Sequence, residues 1–549
     1  MIRRFMFLVL MAFCVGAPAQ LVLARGKGKV KNLATRTFNA NTKVLSDREW
    51  KDVLVDVKDS CVQIVAYGTP FNFELPFRKA DVQADAGSGF FIEVEKRLCV
   101  VTNYHVVDQS CSIYLQHAGA WQEKIELELL GACPEFDIAL LGFKTGQQAF
   151  LEGKLAGKKI VPLVLGDSDK ISIGDEIMVL GYPLAQPHLK QSIGRVSGQE
   201  PTSFGECFTT TAAVAPGSSG GPCLNKKGEV VALTVAMVKD SQGYNFLLPI
   251  SREKVVLDQL KDGVILPNFS FGAQFVSTTP DMAAYLNAPV EGGVLVVAVT
   301  PGGTCDKAGI IKGDLITGLV YEDYRMAVDR FGYASVPWTT SRMGLRDIFA
   351  RVQYGTIVNV ELYRDGQLNL IPIQKTVAVS TTGIANKHIP FENAPEYEVF
   401  AGCVITEVTQ NLSLEWLSQL CKQCKGKSLN RDAGSAFSKI SEPLLQENEW
   451  QGVVISYILP TSVFGTSKVF EQGPCYIKTV NNIPVSTIPE YRQALLKSRE
   501  TGYIVLEAMN GVIGVVKLAT ALEQEPQMAE MYGYPLSESY HALSVGVAA

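Results

Sequence analysis

The run Gly217-Ser218-Ser219-Gly220-Gly221-Pro222 sets a serine hydroxyl in a turn crowded with glycine. Upstream, Thr102-Asn103-Tyr104-His105-Val106-Val107 offers an imidazole, and Phe136-Asp137-Ile138-Ala139-Leu140 offers a carboxylate. A hydroxyl becomes a useful nucleophile only when a neighbouring base takes its proton. An imidazole does that best when a carboxylate fixes its tautomer. Ser219, His105 and Asp137 are therefore the catalytic candidates for nucleophilic acyl transfer, as attacking group, general base and orienting group.

Each has a structural alternative. Glycine-rich turns arise wherever the chain needs positive φ at low cost. Here glycine also has a chemical use, because a nucleophile on a sharp turn needs bare backbone N–H groups converging on the developing oxyanion. Of the five histidines, His117, His188, His388 and His541 fall in loops or near the terminus without a comparable setting. An aspartate opening an apolar strand could simply cap a turn. Asp108, three residues past His105, is the competing carboxylate, and it is too close in sequence to reach around the ring.

The elements that must position these groups read as short β-type runs. They are Cys61–Tyr67, Gly89–Val94, Cys99–Thr102, Ile113–Leu115, Ile125–Leu130, Ile138–Phe143, Ile177–Leu180, Val230–Val238 and Tyr244–Leu248, punctuated by Gly, Pro, Asp and Ser. Ser46-Asp47-Arg48-Glu49 reads as a capping box opening a helix to about Lys58, and a second helix over Ser251–Asp262 closes the unit. The first domain thus spans residues 45–262. A second unit, 263–375, has a strand at Gly292–Thr300, a helix at Asp347–Gln353 and a strand at Val358–Tyr363. Residues 376–394 read as a linker, and a last unit over 395–525 repeats the outline, leaving 526–549 as a C-terminal tail.

Length agrees with this division, since 549 residues call for about three domains at roughly 100–200 residues each. A net charge of −5 gives no footing for nucleic acid. The arm over 25–44 is basic and glycine-spaced; a solvated flexible segment is the plain reading, and a membrane-surface contact is the alternative. Arg3 and Arg4, an apolar run from Phe5 to Val15 and small residues before position 25 have the order of a secretory signal peptide over 1–24. Export to a periplasmic or other outside compartment is the expectation. Twelve cysteines, one in the leader, leave an odd number in the mature chain; Cys99 and Cys111 flank His105 and are a candidate bridge. Cys421 and Cys424 have redox-motif spacing but lack a second pair for zinc, so no metal or cofactor is expected.

Gly87-Ser88-Gly89-Phe90-Phe91, Thr102–Val107, Asp137–Leu140 and Gly217–Pro222 together resemble the HtrA/Deg family of exported serine proteases. Ala308-Gly309-Ile310 and Gly313-Asp314-Leu315-Ile316 look like that family's PDZ signature. Thr69–Pro76 and Val515–Pro535 look most like plant-type Deg proteases. The resemblance implies a mainly β chain, a chymotrypsin-like double β-barrel followed by two PDZ-like α+β domains, the second divergent. It implies an ATP-independent serine endopeptidase acting on unfolded or damaged polypeptides in the envelope, with a homotrimeric or larger assembly. By the same resemblance the backbone N–H groups of Gly217 and Ser219 hold the oxyanion. Ala213, Val235, Ala236 and Met237 form an apolar substrate pocket. Phe269, Ser270, Phe271 and Gly272 form a loop receiving the C-terminal carboxylate of a peptide. The loops Gly194–Cys207, Thr211–Gly217 and Lys239–Tyr244 would rearrange around the oxyanion site. A non-catalytic chaperone or peptide-binding scaffold is the competing class.

Overall fold

The computed structural model describes residues 48–69, 71–78, 81–155, 157–202, 204–235, 245–261, 271–289, 292–299, 302–375, 396–409, 412, 416, 452–470 and 475–545. The leader, the basic arm, the 376–394 linker, Cys421 and Cys424 all lie outside them. The chain divides into two compact units, one containing 81–381 and the other containing 71–80 and 382–549.

Twelve strands of the first unit close into two barrels. The first runs β1 (Cys61–Gly68), β2 (Gln83–Val94), β3 (Arg97–Thr102), β4 (Ser110–Gln116), β5 (Ile125–Cys133) and β6 (Ile138–Phe143), in the spatial order β1-β2-β3-β6-β5-β4. The second comprises β7 (Glu176–Gly181), β8 (Lys190–Thr202), β9 (Gly205–Thr210), β10 (Pro222–Leu224), β11 (Val230–Val235) and β12 (Asn245–Pro249), ordered β10-β11-β12-β9-β8-β7. Closure leaves no sheet edge, so every backbone group along these strands has a neighbour to pair with. Phe90, Ile92, Val101, Leu140, Leu180 and Leu233 are all buried in one continuous core.

Three strands depart from the sequence reading. Gly194–Cys207, expected as a mobile loop, is the hairpin of β8 and β9. Strand β8 reads Lys-Gln-Ser-Ile-Gly-Arg-Val-Ser-Gly-Gln-Glu-Pro-Thr and buries only Val196, so its alternation carries almost no apolar signal. Strand β10 is only three residues long and directly follows the Ser219 turn. The candidate Cys99–Cys111 bridge is not formed, both being free thiols. Cys99 is buried on β3 and Cys111 is exposed on β4, and these strands are not neighbours in the barrel. The opening helix is Trp50–Val57, with Glu49 at its N-cap and no side-chain cap.

Beyond the barrels, the same unit carries a sheet built from Ala273–Ser277, Val294–Val299, Leu315–Tyr321, Ile357–Arg364 and Gln367–Gln374, with a helix at Leu345–Arg351. The other unit repeats that plan. Ala273 lies opposite Val299 in the first sheet, and Cys403 opposite Ile458 in the second. In each, a short helix, two strands, a longer helix and a closing hairpin then follow in order, with the extra pair Tyr333–Ser335 and Arg342–Gly344 before the longer helix of the first. The second copy adds a strand, Tyr397–Phe400, on the outer edge of Cys403–Glu407. Residues read as a tail are part of this core. The helix Leu518–Tyr532 runs through Pro526, and Leu543 of the helix Glu538–Ser544 is fully buried. Proline inside a helix normally ends it, which is why the sequence suggests a boundary there.

Arg252, on the helix Ile250–Leu260, is buried against Glu253 and within 3.8 Å of Asp347 on Leu345–Arg351. Burial pushes the Glu253 carboxyl up to about 7, with the charge of Arg252 working against that rise. Removing one partner of a buried pair strands the other. Arg252→Met is expected to cost about 3–5 kcal/mol in urea unfolding. The loss should be smaller at pH 6 than at pH 8, because a protonated Glu253 needs no counter-charge.

Candidate active site

Asp137 sits at the entrance to β6 with φ +51, in the left-handed region that aspartate tolerates better than most residues. Its backbone carbonyl accepts from the Asn103 side chain at 2.8 Å, which fixes the corner from behind. With the backbone so turned, the carboxylate is buried and meets His105 twice. One oxygen accepts from the His105 backbone N–H at 2.9 Å, and the other lies 2.7 Å from Nδ1. The second contact commits Nδ1 to the carboxylate and leaves Nε2 as the free face of the ring. His105 itself rides on a single turn of helix, Tyr104–Val107, and its side chain is about half exposed. Asp108, the competing carboxylate, is engaged elsewhere, accepting from the Tyr104 hydroxyl at 2.6 Å. Burial acts to lower the His105 pKa. The hydrogen bond and charge of Asp137, with the nearby Asp85 and Asp108, outweigh it, so the ring titrates above 6.5.

Ser219 is buried in the turn between Thr211 and β10. The glycines at and around this turn leave no room for a side chain. At Gly217, φ is +93 and a Cβ would come within 2.7 Å of the Tyr182 carbonyl. At Gly220, φ is +83 and a Cβ would meet the Ser88 carbonyl at 2.2 Å and Thr102 Oγ1 at 2.4 Å. A Cβ at Gly87 would lie 2.6 Å from the Val106 methyls and 3.1 Å from the Ser219 carbonyl. These close approaches bring the Ser219 turn against the strand and helix that carry His105. The Pro216 carbonyl accepts from Leu184 N–H at 2.7 Å. In a trans peptide the N–H points opposite to the carbonyl, so the Gly217 N–H is directed away from Leu184.

One residue that the sequence reading quoted within Gly87–Phe91 but gave no role holds this corner together. Ser88, between two glycines on β2, donates its backbone N–H to the Ser219 carbonyl at 2.7 Å. Its hydroxyl donates to the Gly217 carbonyl at 2.7 Å and accepts from Tyr182 N–H at 2.8 Å. Its carbonyl accepts from the Thr102 hydroxyl at 2.8 Å. The flanking glycines were the available signal, since side chains beside Ser88 would block that approach.

The remaining site expectations divide. Ala213 is exposed, with its N–H on Ser192 Oγ at 2.7 Å. Val235 is buried in the barrel core opposite Phe246. Ala236, Met237, Phe269, Ser270 and the 239–244 loop lie outside the described residues. Phe271 packs edge-on to Phe349 at 4.4 Å, and Gly272 has φ +64.

Residues 87–233 match the trypsin-like peptidase domain, and residues 387–541 match the PDZ domain. The chain carries a trypsin-like peptidase domain and a PDZ domain. The PDZ match falls on the last unit, the one whose sequence departs further from the expected pattern. Among relatives, a probable periplasmic serine endoprotease DegP-like of Chlamydia muridarum (strain MoPn / Nigg) is 27% identical over 328 residues, 58% of this chain and 59% of that protein. The periplasmic pH-dependent serine endoprotease DegQ of Escherichia coli (strain K12) is 27% identical over 58% of this chain and 64% of its own length. The matched stretch thus spans about three-fifths of these relatives. The solved HtrA-type protease AlgW with decapeptide is 18% identical, with a TM-score of 0.45, covering 61% of this chain and 100% of that one.

Ser88→Ala removes one buried donor–acceptor hydroxyl and leaves Tyr182 N–H and the Gly217 carbonyl without it. A stability loss of about 1–3 kcal/mol is expected, measured by urea unfolding.

Proposed function

We propose that the chain is a serine endopeptidase in which Ser219 attacks, His105 takes and returns the proton, and Asp137 holds the ring and its developing charge. The observation that carries the reading is the two-point contact of the buried Asp137 carboxylate with His105, at 2.9 and 2.7 Å. A carboxylate so placed has one chemical use, to fix the Nδ1–H tautomer and stabilise the imidazolium that forms when the hydroxyl is deprotonated. The Gly217 and Ser219 N–H groups then receive the oxyanion, and the acyl-enzyme is released by water. Ala213 in place of an acid argues for aliphatic rather than basic residues beside the cut. Discrimination between aliphatic residues is about 1–3 kcal/mol per methylene, which gives broad specificity.

The substrates in this reading are unfolded or damaged polypeptides met in an exported compartment, in keeping with the periplasmic endoproteases among the relatives. The middle sheet, with Phe271 and Gly272 at the start of its edge strand, is the peptide-receiving module, and the working form is a homotrimer or larger. Residues 45–262, 263–375 and 395–525 are its three domains, with the last helices completing the third.

Digestion of casein by the purified chain, compared with Ser219→Ala, tests this reading. Turnover and fluorophosphonate labelling are both expected to vanish in the variant, and equal residual activity would overturn the assignment. Asp137→Asn is expected to lower kcat by about 10⁴-fold. The pH profile adds a signed test. His105 must be neutral to accept a proton, and its carboxylate neighbours hold it protonated to higher pH. Activity should therefore rise with pH through a midpoint above 6.5, and that midpoint should fall in Asp137→Asn.

A further inference from the structure

Strands β1 and β2 are already closed where Gly68 faces Gln83, yet residues 69–82 lie between them. A hairpin needs as few as two residues to turn. The excess belongs to the other unit, in which residues 71–78 pack as part of the fold. That unit's sheet is apolar on both faces. Ile405, Val453 and Ile455 point into its main core, while Val404 and Val454 point the other way. Alternation in a strand makes the second face as demanding of cover as the first.

The β1–β2 connection supplies that cover. Phe73 is buried among Val408, Leu412, Trp416 and Val454. Leu75 is buried against Val404, Met528 and Tyr534. Phe77 packs on Tyr534 with ring centroids 5.3 Å apart. A polar contact sets the register: Ser456 Oγ, on the strand Val453–Ile458, donates to the Glu74 carbonyl at 2.8 Å. The segment is also shaped for its seat, since Asn72 Oδ1 accepts from the backbone N–H groups of Glu74 and Leu75. Meanwhile the edge of Cys403–Glu407 is taken by Tyr397–Phe400, so strand addition to Cys403–Glu407 is closed to an incoming peptide.

We propose that this second face is a peptide receptor for segments presenting apolar anchors at alternate positions, as in Phe73, Leu75 and Phe77, and that the chain's own residues 71–78 are its resident ligand. The peptidase chemistry of Ser219 is not needed for this, so the test uses the full chain with Ser219→Ala. A tethered ligand acts at an effective concentration of about millimolar. A fluorescent peptide with the sequence of residues 69–80 should therefore bind the unaltered full chain at least about tenfold more weakly than Phe73→Ser/Leu75→Ser, in which the resident anchors are removed. Equal or absent binding in the two, with unchanged circular dichroism, overturns the proposal. If the double variant misfolds, the receptor side decides: Trp416→Ala should speed trypsin cleavage after Arg78 by tenfold or more relative to the parent. Cleavage at the same rate in both overturns the proposal.

Discussion

The contacts of Ser88 are what the rest of the site depends on. The histidine and aspartate come from one barrel and the serine from the other, and two closed barrels have no intrinsic reason to agree on a register. Ser88 belongs to the first barrel, yet three of its four polar contacts reach Gly217, Ser219 and Tyr182 in the second. The fourth ties it to Thr102, three residues before His105. A misplacement of about 1 Å between reacting groups can cost 10²-fold in rate. A short, fully satisfied polar junction in a buried seam is a stiffer way to prevent that than apolar packing, because hydrogen bonds are directional and dispersion contacts are not.

Glycine makes the junction feasible. The 2.2 Å and 2.4 Å approaches that a Cβ at Gly220 would make are to Ser88 and Thr102 themselves. Asp137 shows the same economy on the other side, where a left-handed backbone at one residue turns the carboxylate inward and presents the carbonyl to Asn103. Strain tolerated at one position is thereby converted into two fixed contacts on His105. The electrostatics follow from that placement. A buried carboxylate against a half-exposed imidazole raises the affinity of the ring for a proton while occupying only Nδ1.

How much of this is legible in sequence depends on how each element is buried. Strands β3, β6 and β7 are largely apolar, so their runs announce them within a residue or two. Strand β8 buries one side chain in thirteen and reads as a loop; it is held by backbone pairing on both sides, which leaves no trace in composition. The His105, Asp137 and Ser219 segments stand out because chemistry constrains residue type. The Ser88 motif is visible but its bridging role is not, because a serine between glycines has many uses and only the partner strands reveal this one. Pro526 misleads for a related reason. Propensity penalises it by about 3 kcal/mol, but burial of Ala521, Met528 and Ala529 on either side outweighs that local cost.

The two sheets of related plan separate along the same line. In the first, the strand Ala273–Ser277 alternates intermediate and exposed residues. The equivalent strand of the second, Cys403–Glu407, is buried on four consecutive residues. A strand buried on both faces cannot stand at the surface of a two-layer domain; something must lie on each side. The second sheet meets that demand with its helices on one face and with residues 71–78, Val408, Leu412 and Trp416 on the other, and Tyr397–Phe400 covers the edge of Cys403–Glu407. The apolar residues on the outward face of this sheet commit it to packing against its own chain. Which sheet carries a segment of its own chain on its second face is thus written in the burial pattern of a single strand.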